Sequence, residues 1–370
     1  MKIAVLGLRS IGGECSGGIE RHVQELSTRM VALGHEVTVF CRKQYNNVGT
    51  EFKGVRLVNR PAMYSKHLEA ITHTGLAVPS TLVGYDVVHF HATGPSLLSW
   101  VPRLAGVSTV VTVHGLDFLR AKWGRFASMV LRAGAWTSAN SPSSTIVVSQ
   151  ALQSYYKQEF NCDAFYIPNG IDSPELMPLK MLARFGVDPG RYILSLGRLV
   201  PEKGIHYLLE AFRQIDTDLK LLIVGGGSHS DGYFDKLKTI AGNDSRIVFT
   251  GPLYGEEKAE AYSNAKMFVI PSDLEGMPIA MLEAMSYGCP TLSSDIPECK
   301  EVVGGLDEGL CLSFESGNVV DLKRTIEVMI RMDNLNEIGM SGREHVISSY
   351  NWDMIVDQTL DVYRSACGFL

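Results

Sequence analysis

One pattern, repeated twice, constrains this chain more than any other: short and almost wholly apolar runs, each followed by a stretch with helical spacing. In the first half the runs are Ile3–Gly7, Glu36–Cys41, Asp86–His91, Thr109–His114 and Ile146–Ser149. In the second half they are Arg191–Gly197, Leu219–Val224, Ile247–Thr250, Met267–Ile270, Thr291–Ser294 and Leu310–Phe314. Runs without polar alternation suit strands buried on both faces, as in parallel sheets covered by helices. Strands alternating with helices predict a parallel α/β architecture. At 370 residues the chain is too long for one ordinary core, so two such domains are expected. The boundary is placed near Phe165-Tyr-Ile-Pro-Asn-Gly-Ile-Asp172, where a strand turns into a linker.

The first strand runs into a glycine loop, Gly12-Gly-Glu-Cys-Ser-Gly-Gly18, which opens a helix over about Ile19–Leu33 closed by Gly34. A phosphate could sit on such a loop, yet this is not the dinucleotide fingerprint. From Gly7 it reads G-x-x-x-x-G-G, and the second strand ends in Cys41-Arg42 with no acid for a ribose. An NADP enzyme using Arg42 is the minor alternative. His91 and His114 fall at strand C-terminal ends, the rim where open α/β sheets bind ligands. His91 is read as a structural histidine.

The stretch Ser272-Asp-Leu-Glu-Gly-Met-Pro-Ile-Ala-Met-Leu-Glu-Ala-Met-Ser-Tyr-Gly288 follows the strand Met267–Ile270. Glu275 lies in the strand-to-helix loop, and Glu283 in a helix expected to open at Pro278, a residue suited to a first helical position. Free amides and a partial positive charge at such an N-terminus favour an anion, while the two carboxylates can grip hydroxyls. A molecule with sugar hydroxyls and phosphate fits. The bland alternative is one dipole-favoured carboxylate and one on a solvated face. Glu283, however, stands among Met281, Leu282, Ala284 and Met285, where a carboxylate needs a specific partner. Arg198 and Lys203 follow a strand five positions apart and can reach one diphosphate; solvated surface cations are the alternative.

Several function classes lose support. A net charge of −6 gives no sign of a nucleic-acid binder. The seven cysteines are scattered without a CxxC pair, which points to a reducing cytosol rather than a disulfide or thiolate–metal framework. Met1–Arg9 reads as a first strand rather than a signal peptide, and no run approaches the roughly 18 apolar residues of a membrane span. No metal-ligating cluster is expected at a strand rim. A helix is expected over Phe118–Arg132, with Lys122, Arg125 and Arg132 within about 80° of one another and Leu119, Trp123, Phe126 and Val130 beside them. That face suits an anionic lipid surface, or the solvated side of a core helix.

Four segments in order carry a resemblance to a known family: Gly17–Ser27 with Leu33–Phe40, Ile167-Pro-Asn-Gly-Ile171, Ser195-Leu-Gly-Arg-Leu-Val-Pro-Glu-Lys-Gly204, and the pair Glu275 and Glu283. Together they resemble the retaining glycosyltransferases of family 4, which have the GT-B fold of two facing Rossmann-like domains with a deep cleft. Val224-Gly-Gly-Gly227 departs from the family, which commonly places an acid between two glycines there. The resemblance implies an acceptor-side domain over 1–170, a nucleotide-sugar donor domain over 171–353, and a last helix at about 354–370 packing back on the first. It implies retaining transfer from a nucleotide sugar, with a UDP-sugar expected, to a hydroxyl of a glycan, lipid-linked or small-molecule acceptor in cell-surface polysaccharide or glycoconjugate synthesis. By the same resemblance Arg198 and Lys203 take the diphosphate, Glu283 the ribose and Glu275 the transferred sugar. The amides of Gly276 and Met277 lie near sugar and phosphate, those of Gly17 and Gly18 add to the phosphate, and His114 bonds the sugar at the reaction centre. Asp117 and Glu275 are the nearby carboxylates, though the family has no accepted protein nucleophile. No metal or other cofactor is expected. The location implied is cytoplasmic, with possible membrane contact through the helix at 118–132. A nucleotide-sugar-binding protein without turnover, and a GT-B sugar-nucleotide epimerase that needs no acceptor, are the alternatives.

Overall fold

The computed structural model describes residues 1–13, 17–63, 65, 68–119, 124–227, 232–306 and 312–368. The chain divides into two compact units, Met1–Gly170 with Trp352–Leu370, and Ile171–Asn351. Both are Rossmann-like α/β domains.

The N-terminal unit holds an eight-stranded sheet in the order β3-β4-β2-β1-β5-β6-β7-β8. Its strands are β1 (Lys2–Leu6), β2 (Glu36–Arg42), β3 (Glu51–Phe52), β4 (Val55–Arg60), β5 (Val87–His91), β6 (Ser108–Val113), β7 (Ser144–Val147) and β8 (Phe165–Tyr166). Every pairing is parallel except β3 with β4. Strand β4, second from the edge between β3 and β2, carries Arg56 and Asn59 among its apolar residues, so its sequence, Val-Arg-Leu-Val-Asn-Arg, lacks the apolar run that marks the central strands. The chain leaves β1 for β2 on one side and resumes at β5 on the other, so the topological switch lies between β1 and β5. Gly7 is required there: its φ is +105°, and a Cβ would meet the His91 carbonyl oxygen at 2.2 Å.

The last helix, Trp352–Cys367, belongs to this unit, burying Trp352, Ile355 and Tyr363 in a core shared with Leu26 and Met30 of the helix Gly18–Ala32. The helix expected over Phe118–Arg132 is not formed as read. Asp117–Leu119 is a single 3₁₀ turn and an α-helix runs over Arg125–Asn140, with extended Gly124 at its N-cap. A glycine at that position lets the chain turn into the helix without a side chain to place. Lys122 and Trp123 lie outside the described residues.

The C-terminal unit holds β9 (Tyr192–Leu196), β10 (Lys220–Val224), β11 (Ile247–Gly251), β12 (Met267–Ile270), β13 (Thr291–Ser294) and β14 (Leu312–Phe314). All pair in parallel, in the order β11-β10-β9-β12-β13-β14, which puts the switch between β9 and β12. A separate core of Ile193, Leu208, Phe212, Leu221, Val269 and Phe314 fills this unit. Among the described residues no helix is long and apolar enough to cross a membrane.

Candidate active site

The loops that follow β9 and β12 flank the switch point of the C-terminal sheet, where doubly wound sheets bind their ligands. Arg198 lies two residues beyond β9, in a segment pinned by the Leu199 amide, which donates to the Gly226 carbonyl at 3.1 Å. Lys203 ends a 3₁₀ turn, Pro201–Lys203, rather than opening an α-helix, which starts at Ile205. Gly204 between them has φ +64°, and a Cβ there would meet the Pro271 carbonyl oxygen at 1.8 Å. Only glycine therefore lets the two loops touch. The Asp273 amide donates to the Glu202 carbonyl at 3.0 Å and completes the seam.

Across this seam Lys203 Nζ donates to Glu275 Oε1 at 2.5 Å, and Ser272 Oγ donates to the same oxygen at 2.7 Å. The lysine side chain is 21% exposed and the glutamate 7%, so water screens the pair incompletely. Gly276 and Met277 form the turn between Glu275 and the helix Ile279–Ser286. Pro278 is its N-cap rather than its first residue, with ψ +78°; the Ile279 amide turns back to the Met277 carbonyl at 2.9 Å.

Glu283 sits on that helix, buried, with Lys258 Nζ at 2.7 Å from Oε1 and the Tyr262 hydroxyl donating to Oε2 at 3.1 Å. Burial first, then the Glu283 charge, pushes the Tyr262 phenol well above its ordinary range and keeps it a donor. Lys258 and Tyr262 come from the helix Gly255–Asn264, and sequence reasoning missed both. The apolar neighbours of Glu283 signalled that some partner must exist; nothing in the spacing pointed to that helix.

In the N-terminal unit Gly17 is the N-cap of Gly18–Ala32 and Gly18 its first residue. His91 ends β5 and His114 follows β6, with His91 Nδ1 and His114 Nε2 sharing a hydrogen bond at 3.0 Å. His22, from the helix Gly18–Ala32, meets His114 edge-on with ring centroids 4.9 Å apart. Ring nitrogens of His22, His91 and His114 all lie within 4.8 Å of one another. The expectation that no metal-ligating side chains gather at a strand rim therefore fails. His22 reaches the rim from a helix face, which no sequence spacing reveals. Behind them His89 bonds Tyr363 and Thr112 at 2.6 and 2.7 Å. Burial holds all four imidazoles neutral: His22 falls to about 4, His89 to about 3, and His91 and His114 well below their ordinary value. A neutral imidazole at His114 offers one donor and one acceptor nitrogen, which suits a sugar hydroxyl. The side chain of Asp117 lies outside the described residues.

Comparison with known proteins covers both units. Residues 16–174 match the model of Glycosyltransferase Family 4, and residues 184–343 that of Glycosyl transferases group 1. An alpha-maltose-1-phosphate synthase from Mycolicibacterium smegmatis is 24% identical over 98% of this chain and 99% of its own. A phosphatidyl-myo-inositol mannosyltransferase from Mycobacterium leprae is 26% identical over 94% and 93%. Among solved structures, sucrose-phosphate synthase from Thermosynechococcus elongatus superposes with a TM-score of 0.82 at 22% identity, covering 100% of both chains. Anabaena HepE in complex with UDP-glucose gives 0.80 at 17% identity, covering 99% of this chain and 100% of its own.

Proposed function

Because this chain belongs to glycosyltransferase family 4 and has the GT-B fold of a glycosyltransferase of glycan or glycolipid synthesis, we propose that it moves a sugar from a nucleotide-sugar donor to an acceptor hydroxyl with retention of anomeric configuration. The observation that carries this reading is the convergence of Lys203 and Glu275 at the switch point of the C-terminal sheet, with Arg198 on the same loop. A UDP-sugar is the donor proposed, in line with the HepE complex.

As the bond from the anomeric carbon to the leaving phosphate oxygen breaks, negative charge grows on the diphosphate. Arg198 and Lys203 are cations fixed in advance where that charge appears. Lys203 must then share or surrender its bond to Glu275, which frees that carboxylate to accept a hydroxyl of the transferred sugar. Glu283 takes the ribose diol in exchange for part of its bonding to Lys258 and Tyr262. The amides of Gly17, Gly18, Gly276 and Met277 are proposed as further donors to the phosphates and sugar, and His114 as a hydrogen-bonding partner of the sugar at the reaction centre. The acceptor hydroxyl attacks the face the phosphate leaves and passes its proton to that phosphate oxygen, so no protein nucleophile is needed. Protein cations stabilise the leaving group, and transfer is proposed to proceed without a divalent metal.

Incubation with UDP-, GDP- and dTDP-sugars and candidate acceptors, with excess EDTA in one arm, tests this. Acceptor-dependent product that keeps the donor's anomeric configuration by NMR is expected in both arms. An inverted product, a donor epimerised without acceptor, or activity abolished by EDTA and restored by Mg²⁺ would overturn the corresponding part. Peripheral membrane contact is proposed through Arg125, Met129, Arg132 and Trp136, all exposed and within about 60° of one another on one helix. Failure to sediment with anionic vesicles would exclude it.

A further inference from the structure

The rim of the N-terminal sheet carries a second group of side chains that the transfer chemistry leaves unused. β1 and β2 are neighbours; Arg9 follows β1 and Arg42 ends β2, and the Arg42 amide donates to the Arg9 carbonyl at 2.7 Å. Tyr45 closes the short 3₁₀ turn Lys43–Tyr45 that comes next. The exposed guanidinium of Arg9 lies 5.1 Å from the centre of the Tyr45 ring. Arg42 is only 8% exposed, with Nη1 at 3.2 Å from Glu69 Oε2. Gln44 donates to the other Glu69 oxygen at 2.9 Å, and the Tyr45 hydroxyl also bonds this carboxylate. Glu69 thus holds three donors at one edge of the group. The remaining carboxylate nearby, Glu20, accepts the Arg9 backbone amide at 3.3 Å.

Burying a guanidinium is costly, and Arg42 Nε is buried without a hydrogen-bond partner. A cation that served only to hold Glu69 would not need Arg9 and a phenol beside it. Nor does general basicity account for the cluster, since the chain carries a net charge of −6. Two planar guanidinium forks and a hydroxyl donor on a strand rim match the oxygens of a phosphate, which Arg binds through paired N–H bonds. Burial and Glu69 keep the Tyr45 phenol protonated, and its single O–H, which bonds Glu69 here, turns to the phosphate when one binds.

We propose that Arg9, Arg42 and Tyr45 form a binding point for a phosphate group carried by the acceptor. The inference deepens the transferase reading and rests on it, because it names the chemical class of the molecule that receives the sugar. The phosphate fixes the acceptor's position, and the hydroxyl that attacks lies elsewhere on the same molecule. A soluble sugar phosphate and a lipid phosphate share this chemistry.

Inorganic pyrophosphate is titrated calorimetrically into the Arg198→Ala/Lys203→Ala variant, whose donor-side cations are gone. One site should remain. Adding Arg9→Ala should weaken it by at least about tenfold, and Tyr45→Phe measurably less, since a bond to a charged partner is worth more than one phenol donor. Arg9 and Tyr45 are exposed, so thermal melts should show these variants folded; Arg42→Gln is the stronger but riskier change. Loss of all pyrophosphate binding in the double variant, or binding indifferent to Arg9→Ala, would overturn the proposal. Glucose 1-phosphate and phosphatidylcholine vesicles doped with phosphatidic acid then compete for the site. Displacement by the first supports a soluble acceptor, displacement by the second a lipid acceptor, and displacement by neither sinks the acceptor assignment. A wild-type protein that turns over no nucleotide sugar would instead overturn the transferase reading, and the acceptor assignment with it.

Discussion

Lys203 is held by Glu275 before any donor arrives, and that contact decides how its removal should be read. Lys203→Ala leaves Glu275 with Ser272 as a donor, so the buried carboxylate keeps one hydrogen bond and the fold should survive. Turnover should not survive as well: losing one group that stabilises a developing anion costs roughly 2.7–4 kcal/mol, about 100- to 1000-fold in kcat. Arg198→Ala is expected to behave alike. A variant with more than half of wild-type kcat and an unchanged melting temperature would remove these cations from the leaving-group role. Glu283 makes a different case, since Lys258 and Tyr262 already occupy its oxygens. Glu283→Gln should weaken nucleotide diphosphate binding, because hydrogen bonds to a charged acceptor are worth roughly 1.5–3 kcal/mol against about 1 for neutral ones. Unchanged affinity by calorimetry would mean that Glu283 serves only to pack and pair its helix.

At the scale of elements, the site depends on two loops touching, and Gly204 permits it. Gly204→Ala places a Cβ against backbone, not against the end of a flexible side chain, and forces a left-handed φ on alanine. A cost of order 1–3 kcal/mol is expected for the strained backbone alone, together with a fall in kcat as Lys203 moves from Glu275. Gly226→Ala, where a Cβ meets nothing within 4 Å and φ is not positive, should melt close to wild type. Equal stability of the two variants by thermal melting would contradict this account of the seam. The same glycine shows what was legible in the sequence. Strand-to-helix alternation located both sheets, and Arg198, Lys203 and Glu275 could be placed at strand ends because buried parallel strands are apolar throughout. β4, where Arg56, Asn59 and Arg60 interrupt the apolar residues, lacked that signal. Lys258, Tyr262 and His22 were missed for another reason: each reaches its partner from a helix distant in sequence, and only the packing of that helix creates the contact. The helix now starting at Arg125 was misplaced because periodicity alone does not show where a glycine interrupts it.

Across the whole molecule the buried histidines are distributed unequally. His22, His73, His89, His91 and His114 all lie in the N-terminal unit, and burial is the leading cause holding each below its ordinary value, His22 and His73 at about 4. Among the described residues of the C-terminal unit, the half-buried His206 is lowered in the same way. A buried neutral imidazole stays unprotonated in the fold and takes a proton once unfolded, at an ordinary value of about 6.5. Above that pH both states bind the same number of protons and stability is unaffected. As pH falls from about 6.5 toward 4, the unfolded state binds more, so each such histidine removes up to about 1.4 kcal/mol per pH unit, and the loss levels off below the folded value. The N-terminal unit should therefore lose stability much faster in mild acid than its neighbour. All four tryptophans, Trp100, Trp123, Trp136 and Trp352, lie in that unit, so their fluorescence reports its unfolding alone, whereas far-ultraviolet circular dichroism reports both. Thermal melts between pH 7.5 and about 5 should show the fluorescence midpoint falling more steeply than the dichroism midpoint. Midpoints that stay superimposed across that range would mean that the two units unfold as one, or that the imidazoles are charged in the fold. His73→Gln distinguishes these outcomes, because it should flatten the fluorescence slope only if His73 is folded in its neutral form.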